Sequence, residues 1–96
     1  MKKIIVNGAK GKMGSEVVNL ILKKENTKLV GVCDKKGVGE ELLSKTNKNT
    51  NLKIQEDLAS LIKEKNADLV IDFTTPNAVM DNIRLVLNNN CNMIVG

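Results

Sequence analysis

Histidine, tryptophan and tyrosine are absent from this 96-residue sequence, and phenylalanine and proline occur once each, at Phe73 and Pro76. Without histidine, no Ser-His or Cys-His nucleophile can be assembled within the chain, and a zinc site would need unusual ligands, so no metal site is expected. The two cysteines, Cys33 and Cys91, lack C-x-x-C spacing and sit in or beside apolar segments, so they read as buried thiols. One ring is too few to interleave with basic residues as a base-stacking surface. The net charge of +4 is therefore read as lysine-rich surface, and no nucleic-acid partner is expected. No apolar run approaches the roughly 20 residues that span a bilayer. The opening MKKIIVNG is too short in its apolar part for a signal-peptide core, so a cytoplasmic protein without a membrane partner is expected.

What is present is ordinary for a folded domain: 42% apolar and 27% charged residues. Residues 1–96 read as one domain, large enough for a core and small for a complete enzyme. Strand and helix signals alternate. KIIV (3–6) is a β-branched run, and Met13, Val17, Leu20 and Ile21 recur at helical spacing between Lys12 and Lys24. KLVGVCD (28–34) is apolar through both faces, as buried parallel strands are. A Gly-Val-Gly turn, a short helix at 40–45 and a polar loop, KTNKNTN, are expected next, then a short strand LKIQ (52–55). Asp57 is placed to cap a helix carrying Leu58, Leu61 and Ile62, which Asn66 can end. ADLVID (67–72) is a strong strand signal. Thr75 then caps a helix with Pro76 at its first position and Val79, Ile83, Val86 and Leu87 on one face; NMIV (92–95) is a last strand. Short connections in such an alternation imply parallel strands and right-handed crossovers, a doubly wound α/β fold.

The loop NGAKGKMG (7–14) joins the first strand to the first helix. Unpaired N–H groups at a helix start favour a pyrophosphate. In that chemistry Gly8 permits the tight turn, Gly11 lets the backbone approach the phosphates, and Gly14 allows close packing of the helix. Lys10 and Lys12 add positive charge. Asp34 ends the second strand about 20 residues beyond Gly14, the interval at which dinucleotide folds place an acid on the adenine ribose. A carboxylate there favours NADH, whereas Lys35 and Lys36 could pair with the 2′-phosphate of NADPH. NADH is expected to be used and NADPH tolerated. At the end of the later strand, Phe73 can wall a nicotinamide and Thr74 can offer a hydroxyl or backbone group.

VNGAKGKMGSEV and, about 55 residues further on, VIDFTTPNAV together resemble the amino-terminal domain of the dihydrodipicolinate reductase family. The family's Gly-Ala-x-Gly-Arg-Met-Gly turn is matched by Gly8, Ala9, Gly11, Lys12, Met13 and Gly14. Its Asp-Phe-Thr-x-Pro block is matched by Asp72, Phe73, Thr74 and Pro76, and its acid after the second strand by Asp34 with basic Lys35 beside it. Two positions depart. Lys12 stands where the family usually has arginine, which turns a forked phosphate contact into a point charge. Asn7 stands where an apolar or small residue is more usual.

The resemblance implies a Rossmann-like NAD(P)H-binding domain of an oxidoreductase in lysine and diaminopimelate biosynthesis. Cofactor-binding residues would be Gly8, Ala9, Lys10, Gly11, Lys12, Met13, Asp34, Lys35, Phe73, Thr74 and Gly96, with no catalytic residue in the chain. Gly96 matches the first glycine of the family's Gly-Thr-Thr-Gly loop at the nicotinamide. The resemblance places a substrate domain with a His-His-x-x-Lys-like region downstream and implies a homotetramer. These 96 residues are then expected to be inactive alone. Two alternatives remain open: the domain of another amino-acid NAD(P) reductase, such as an aspartate or homoserine dehydrogenase, and a stand-alone NADH-sensing module.

Overall fold

Ile4, Ile5 and Val6 carry apolar side chains to both faces of one strand, and that strand becomes the centre of the sheet. The structure is a computed structural model that describes residues 1–42 and 52–96. In it, β1 (Lys2–Asn7) lies between β2 (Thr27–Cys33) and β4 (Leu69–Asp72). β3 (Ile54–Gln55) flanks β2 and β5 (Asn92–Val95) flanks β4, so the order is β3-β2-β1-β4-β5 with every pair parallel. α1 (Lys12–Lys23) packs Val18 and Ile21 onto Ile4, Val6, Leu29 and Val32. α2 (Leu58–Lys65) and α3 (Pro76–Asn88) cover the other face, where Leu58, Leu61 and Val86 meet Ile5, Val30 and Val70. The fold is the expected doubly wound α/β sheet. β2 is buried from Leu29 to Cys33, as its two-sided apolar run requires.

Both outer helices are rotated from the phase that their apolar spacing suggests. α1 turns Gly14, Val18 and Ile21 inward and leaves Met13 and Leu20 more than half exposed. The cause lies at Gly14: a Cβ there would stand 2.1 Å from the Gly8 carbonyl oxygen, so this face must meet the loop. In α3, Val86 is buried and Val79 and Ile83 are half-buried, but Leu87 is 61% exposed. Asn82 reaches inward to Asp72 at 3.0 Å, which sets the rotation of the helix and turns position 87 outward.

The caps of α2 follow the sequence reading. Asp57 Oδ1 accepts a hydrogen bond from the Ser60 N–H at 3.1 Å, which satisfies one orphan donor of the first turn, and Asn66 closes the helix in the left-handed region with φ 52°. The Ser60 backbone bond foremost, and next the Ser60 hydroxyl's bond to Asp57 Oδ2 at 2.8 Å, hold the Asp57 carboxyl below its ordinary range. Thr75 occupies the cap position of α3 without a side-chain capping bond. Of the helix expected at 40–45, the described part is not helical: Glu41 forms an antiparallel bridge with Lys53. Residues 43–45 and the polar stretch 45–51 lie outside the described residues. Among the described residues, no helix is long and apolar enough to cross a membrane.

Candidate functional site

The sheet order reverses at β1: the chain leaves it for β2 on one side and returns to β4 on the other. The crevice outside the carboxyl ends of β1 and β4 is therefore the place where this architecture binds ligands. A cleft of about 590 Å³ opens there, lined by the glycine loop, the loop after β2, and the β4–α3 connection.

The turn out of β1 is fastened to its neighbours. Gly8 and Ala9 both donate backbone hydrogen bonds to the Cys33 carbonyl, at 2.8 and 3.1 Å, and the Phe73 N–H donates to the Asn7 carbonyl at 2.9 Å. Gly8 adopts φ +85°, and a Cβ on it would stand 2.9 Å from the Phe73 carbonyl carbon and oxygen. Gly8 and Gly14 are thus required by the chain's own packing. Gly11 is not. Its φ of −68° is ordinary, and a Cβ there would meet only the Gly8 oxygen, at a normal 3.4 Å. It lines the cleft at the N-cap of α1, with no side-chain cap and no acid in the helix's first turn. The fold gives no reason for glycine at 11.

Asp34 follows β2, and its two oxygens accept from separate loops: Oδ2 from the Lys10 N–H at 2.8 Å and Oδ1 from the Lys36 N–H at 3.0 Å. A carboxylate can accept about four hydrogen bonds, and two of these places are taken by donors among the described residues. The Cys33 thiol beside it is pushed up to about 12, chiefly by burial and further by Asp57 and Asp34, which excludes thiolate chemistry near neutral pH. Among the described residues, no cluster of three or more Cys, Asp or Glu side chains is placed to hold a metal ion.

Beneath the cleft, Asp72 is fully buried and saturated. Its Oδ2 accepts from the Asn7 and Asn82 side-chain amides at 3.1 and 3.0 Å. Its Oδ1 accepts from the Thr74 N–H at 2.7 Å and from the Thr74 hydroxyl, which in turn accepts from Asn82 at 3.1 Å. With four donors on it, Asp72 has no acceptor site left for a ligand. Its task is to hold the end of β1, the β4–α3 connection and α3 in one arrangement. Above it the Phe73 ring lies on Gly96, where a Cβ would stand 2.1 Å from ring carbon Cε1. Half-buried, the ring packs on the core beside α1 and also lines the cleft.

The model of the dihydrodipicolinate reductase N-terminus matches residues 2–96. The chain belongs to the dihydrodipicolinate reductase family. It is 35% identical to the 4-hydroxy-tetrahydrodipicolinate reductase of Methanococcus aeolicus over all of the chain and 38% of that protein. It is 41% identical to that of Desulfitobacterium hafniense, over 91% of the chain and 34% of the relative. The dipicolinate-bound dihydrodipicolinate reductase of Paenisporosarcina sp. TG-14 superposes on the whole chain with a TM-score of 0.81 at 33% identity, over 37% of its own length. The chain thus spans little more than a third of the relatives it matches.

Set against this membership in the dihydrodipicolinate reductase family, the expected residues fall into two groups. Gly8, Lys10, Gly11, Asp34, Lys35, Phe73 and Thr74 line one cleft. Ala9 is buried in the core, Lys12 and Met13 are exposed at the start of α1 outside the cleft lining, and Gly96 supports the Phe73 ring. The two donors of Thr74, its hydroxyl and its N–H, both go to Asp72. Asn82 was not legible, because a mid-helix asparagine carries no pattern of its own. Asn7, the family departure, pairs in register with Asp72 and explains itself as a donor to it.

Proposed function

We propose that this chain is the dinucleotide-binding domain of a 4-hydroxy-tetrahydrodipicolinate reductase, using NADH and tolerating NADPH in a cytoplasmic enzyme. The observation that carries the reading is Gly11, a glycine that the fold does not require, open to the cleft at the start of α1. In this reading the pyrophosphate lies on the free N–H groups of Lys12 and Met13, since that of Gly11 is donated to the Gly8 carbonyl at 3.1 Å, and the adenine ribose donates its hydroxyls to Asp34. The nicotinamide ring lies against Phe73 near Thr74 and Gly96. Lys35 and Lys36 supply positive charge at the adenosine end, where Lys10 also lines the cleft with its ammonium group paired to Glu40.

When bound, the dihydronicotinamide supplies a hydride. In the whole enzyme one hydride and one proton are added to the ring of a cyclic dicarboxylate, water is lost, and tetrahydrodipicolinate and the oxidised cofactor result. This chain's share is orientation: placing donor and acceptor together is the main protein contribution to such transfers. Substrate-binding and proton-donating groups, and the contacts of a homotetramer, are assigned to the remaining length that the relatives possess. Calorimetric titration with NADH tests the reading. Saturable binding at one site per chain, without turnover of the cyclic substrate, is expected. Absence of binding, or turnover by these 96 residues alone, would overturn it.

A further inference from the structure

Lys10 makes two contacts that belong to different jobs. Its N–H donates to Asp34, which fixes the glycine loop to the loop after β2. Its ammonium group pairs with Glu40 Oε2 at 2.9 Å. Glu40 is not a loosely held rim residue. Its N–H donates to the Gly37 carbonyl at 2.9 Å, its carbonyl accepts from the Ile54 N–H at 2.9 Å, and the Gly39 N–H donates to the Ile54 carbonyl at 2.8 Å. The short connection bearing Glu40 is thereby tied to β3. The ion pair lies directly over Gly37, since a Cβ at that position would stand 2.1 Å from Glu40 Oε2 and 2.5 Å from Lys10 Cε. The bridge therefore arches over Gly37, in the segment that follows Asp34.

Half-exposed pairs of this kind contribute little to stability, so the placement of this one matters more than its strength. We propose that Glu40, which stands behind the cleft lining, determines cofactor specificity: it holds the ammonium group of the cleft residue Lys10 in an ion pair and so withholds it from a ribose 2′-phosphate. The proposal rests on the dinucleotide reading above. NADH brings no charge to this point and leaves the pair intact. NADPH brings close to two negative charges, which must either draw Lys10 off Glu40 and leave that carboxylate unneutralised, or forgo the lysine. Lys35 and Lys36 remain to receive the phosphate, so NADPH is penalised rather than refused.

The test is a pair of dissociation constants, for NADH and for NADPH, measured by calorimetry at low ionic strength on the parent chain and on Glu40→Gln, which keeps the shape and removes the charge. NADPH is expected to bind about fivefold tighter to the variant, the worth of one partly exposed charge pair, and NADH within about twofold of the parent. In a Lys10→Gln background the same Glu40 change is expected to alter NADPH binding by less than half as much. An unchanged NADPH to NADH ratio would overturn the proposal. So would an undiminished effect without Lys10, which would mean plain repulsion by Glu40 rather than capture of the lysine. If the parent bound NADH but the ratio stayed fixed, only the role of Glu40 would fall. If the parent bound neither nucleotide, the dinucleotide reading itself would fall, and this proposal with it.

Discussion

Replacing Gly11 with serine should move stability and binding in opposite directions. Gly11 occupies the N-cap of α1 with φ −68° and ψ 164°, the extended geometry that serine adopts without strain, and no side chain now caps the helix. The new Cβ would meet the Gly8 oxygen at an ordinary 3.4 Å. A serine hydroxyl can accept from an orphan N–H of the first turn, so a gain of about a few tenths of a kcal/mol over glycine is expected. For a domain of this size that raises the melting temperature by roughly 1–2 °C. In the proposed reading the same Cβ would obstruct a pyrophosphate resting on the first N–H groups of α1. Displacing one backbone donor from a charged oxygen forfeits about 1.5–3 kcal/mol, or about 10- to 100-fold in the NADH dissociation constant. Scanning calorimetry and NADH titration of the same preparation read both quantities. A serine variant that binds NADH as tightly as the parent, or that melts more than about 5 °C lower, would refute the separation of Gly11 from the structural glycines.

Gly8→Ala should behave in the reverse manner, since φ +85° and the 2.9 Å approach to Phe73 strain any Cβ; a loss of about 1–3 kcal/mol is expected in urea denaturation. Asp72→Ala strips the shared acceptor from Asn7, Asn82 and Thr74, and a loss of about 3 kcal/mol or more should appear in the same assay, whereas a neutral result would show that the buried network relaxes freely. Cys33 ionises far less readily folded than unfolded, so the unfolded state releases its proton first as pH rises. Its contribution is therefore complete below about pH 9 and is lost between there and about 12, with a slope approaching about 1.4 kcal/mol per pH unit that should be missing in Cys33→Ala.

The alternation of strands and helices was legible because the apolar periods are clean and the connections short. β2 announced its two-sided burial through an unbroken apolar run, and Asp57 and Asn66 marked the ends of α2 in advance. Helix phase was not legible. Met13, Leu20 and Leu87 fit an apolar stripe as well as their neighbours do, and only tertiary contacts decide: Gly14 against Gly8 in α1, Asn82 against Asp72 in α3. The short helix expected from residue 40 onward fails at its start because the backbone of Glu40 is taken up by Ile54 and that of Leu42 by Leu52, pairing partners that no local pattern reveals. At the cleft, residues whose roles rest on the backbone, such as Gly8 and Gly14, could be found from spacing. Those whose roles rest on a partner far away in sequence, Asn82 and Glu40, could not.

The seam between β1 and β4 has a consequence for how the molecule comes together. Asn7 with Asp72, and Lys3 with Asp68, join residues 65 positions apart. Such pairs require closure of a long loop before any contact rewards it, so the cleft cannot form in a partly folded amino-terminal half. A dinucleotide held across this seam would bind the complete sheet and nothing less. Its binding energy would then accrue to global rather than local opening: at a concentration 100 times its dissociation constant, the slowest-exchanging amides of β1 and β4 would gain about 2.7 kcal/mol of protection.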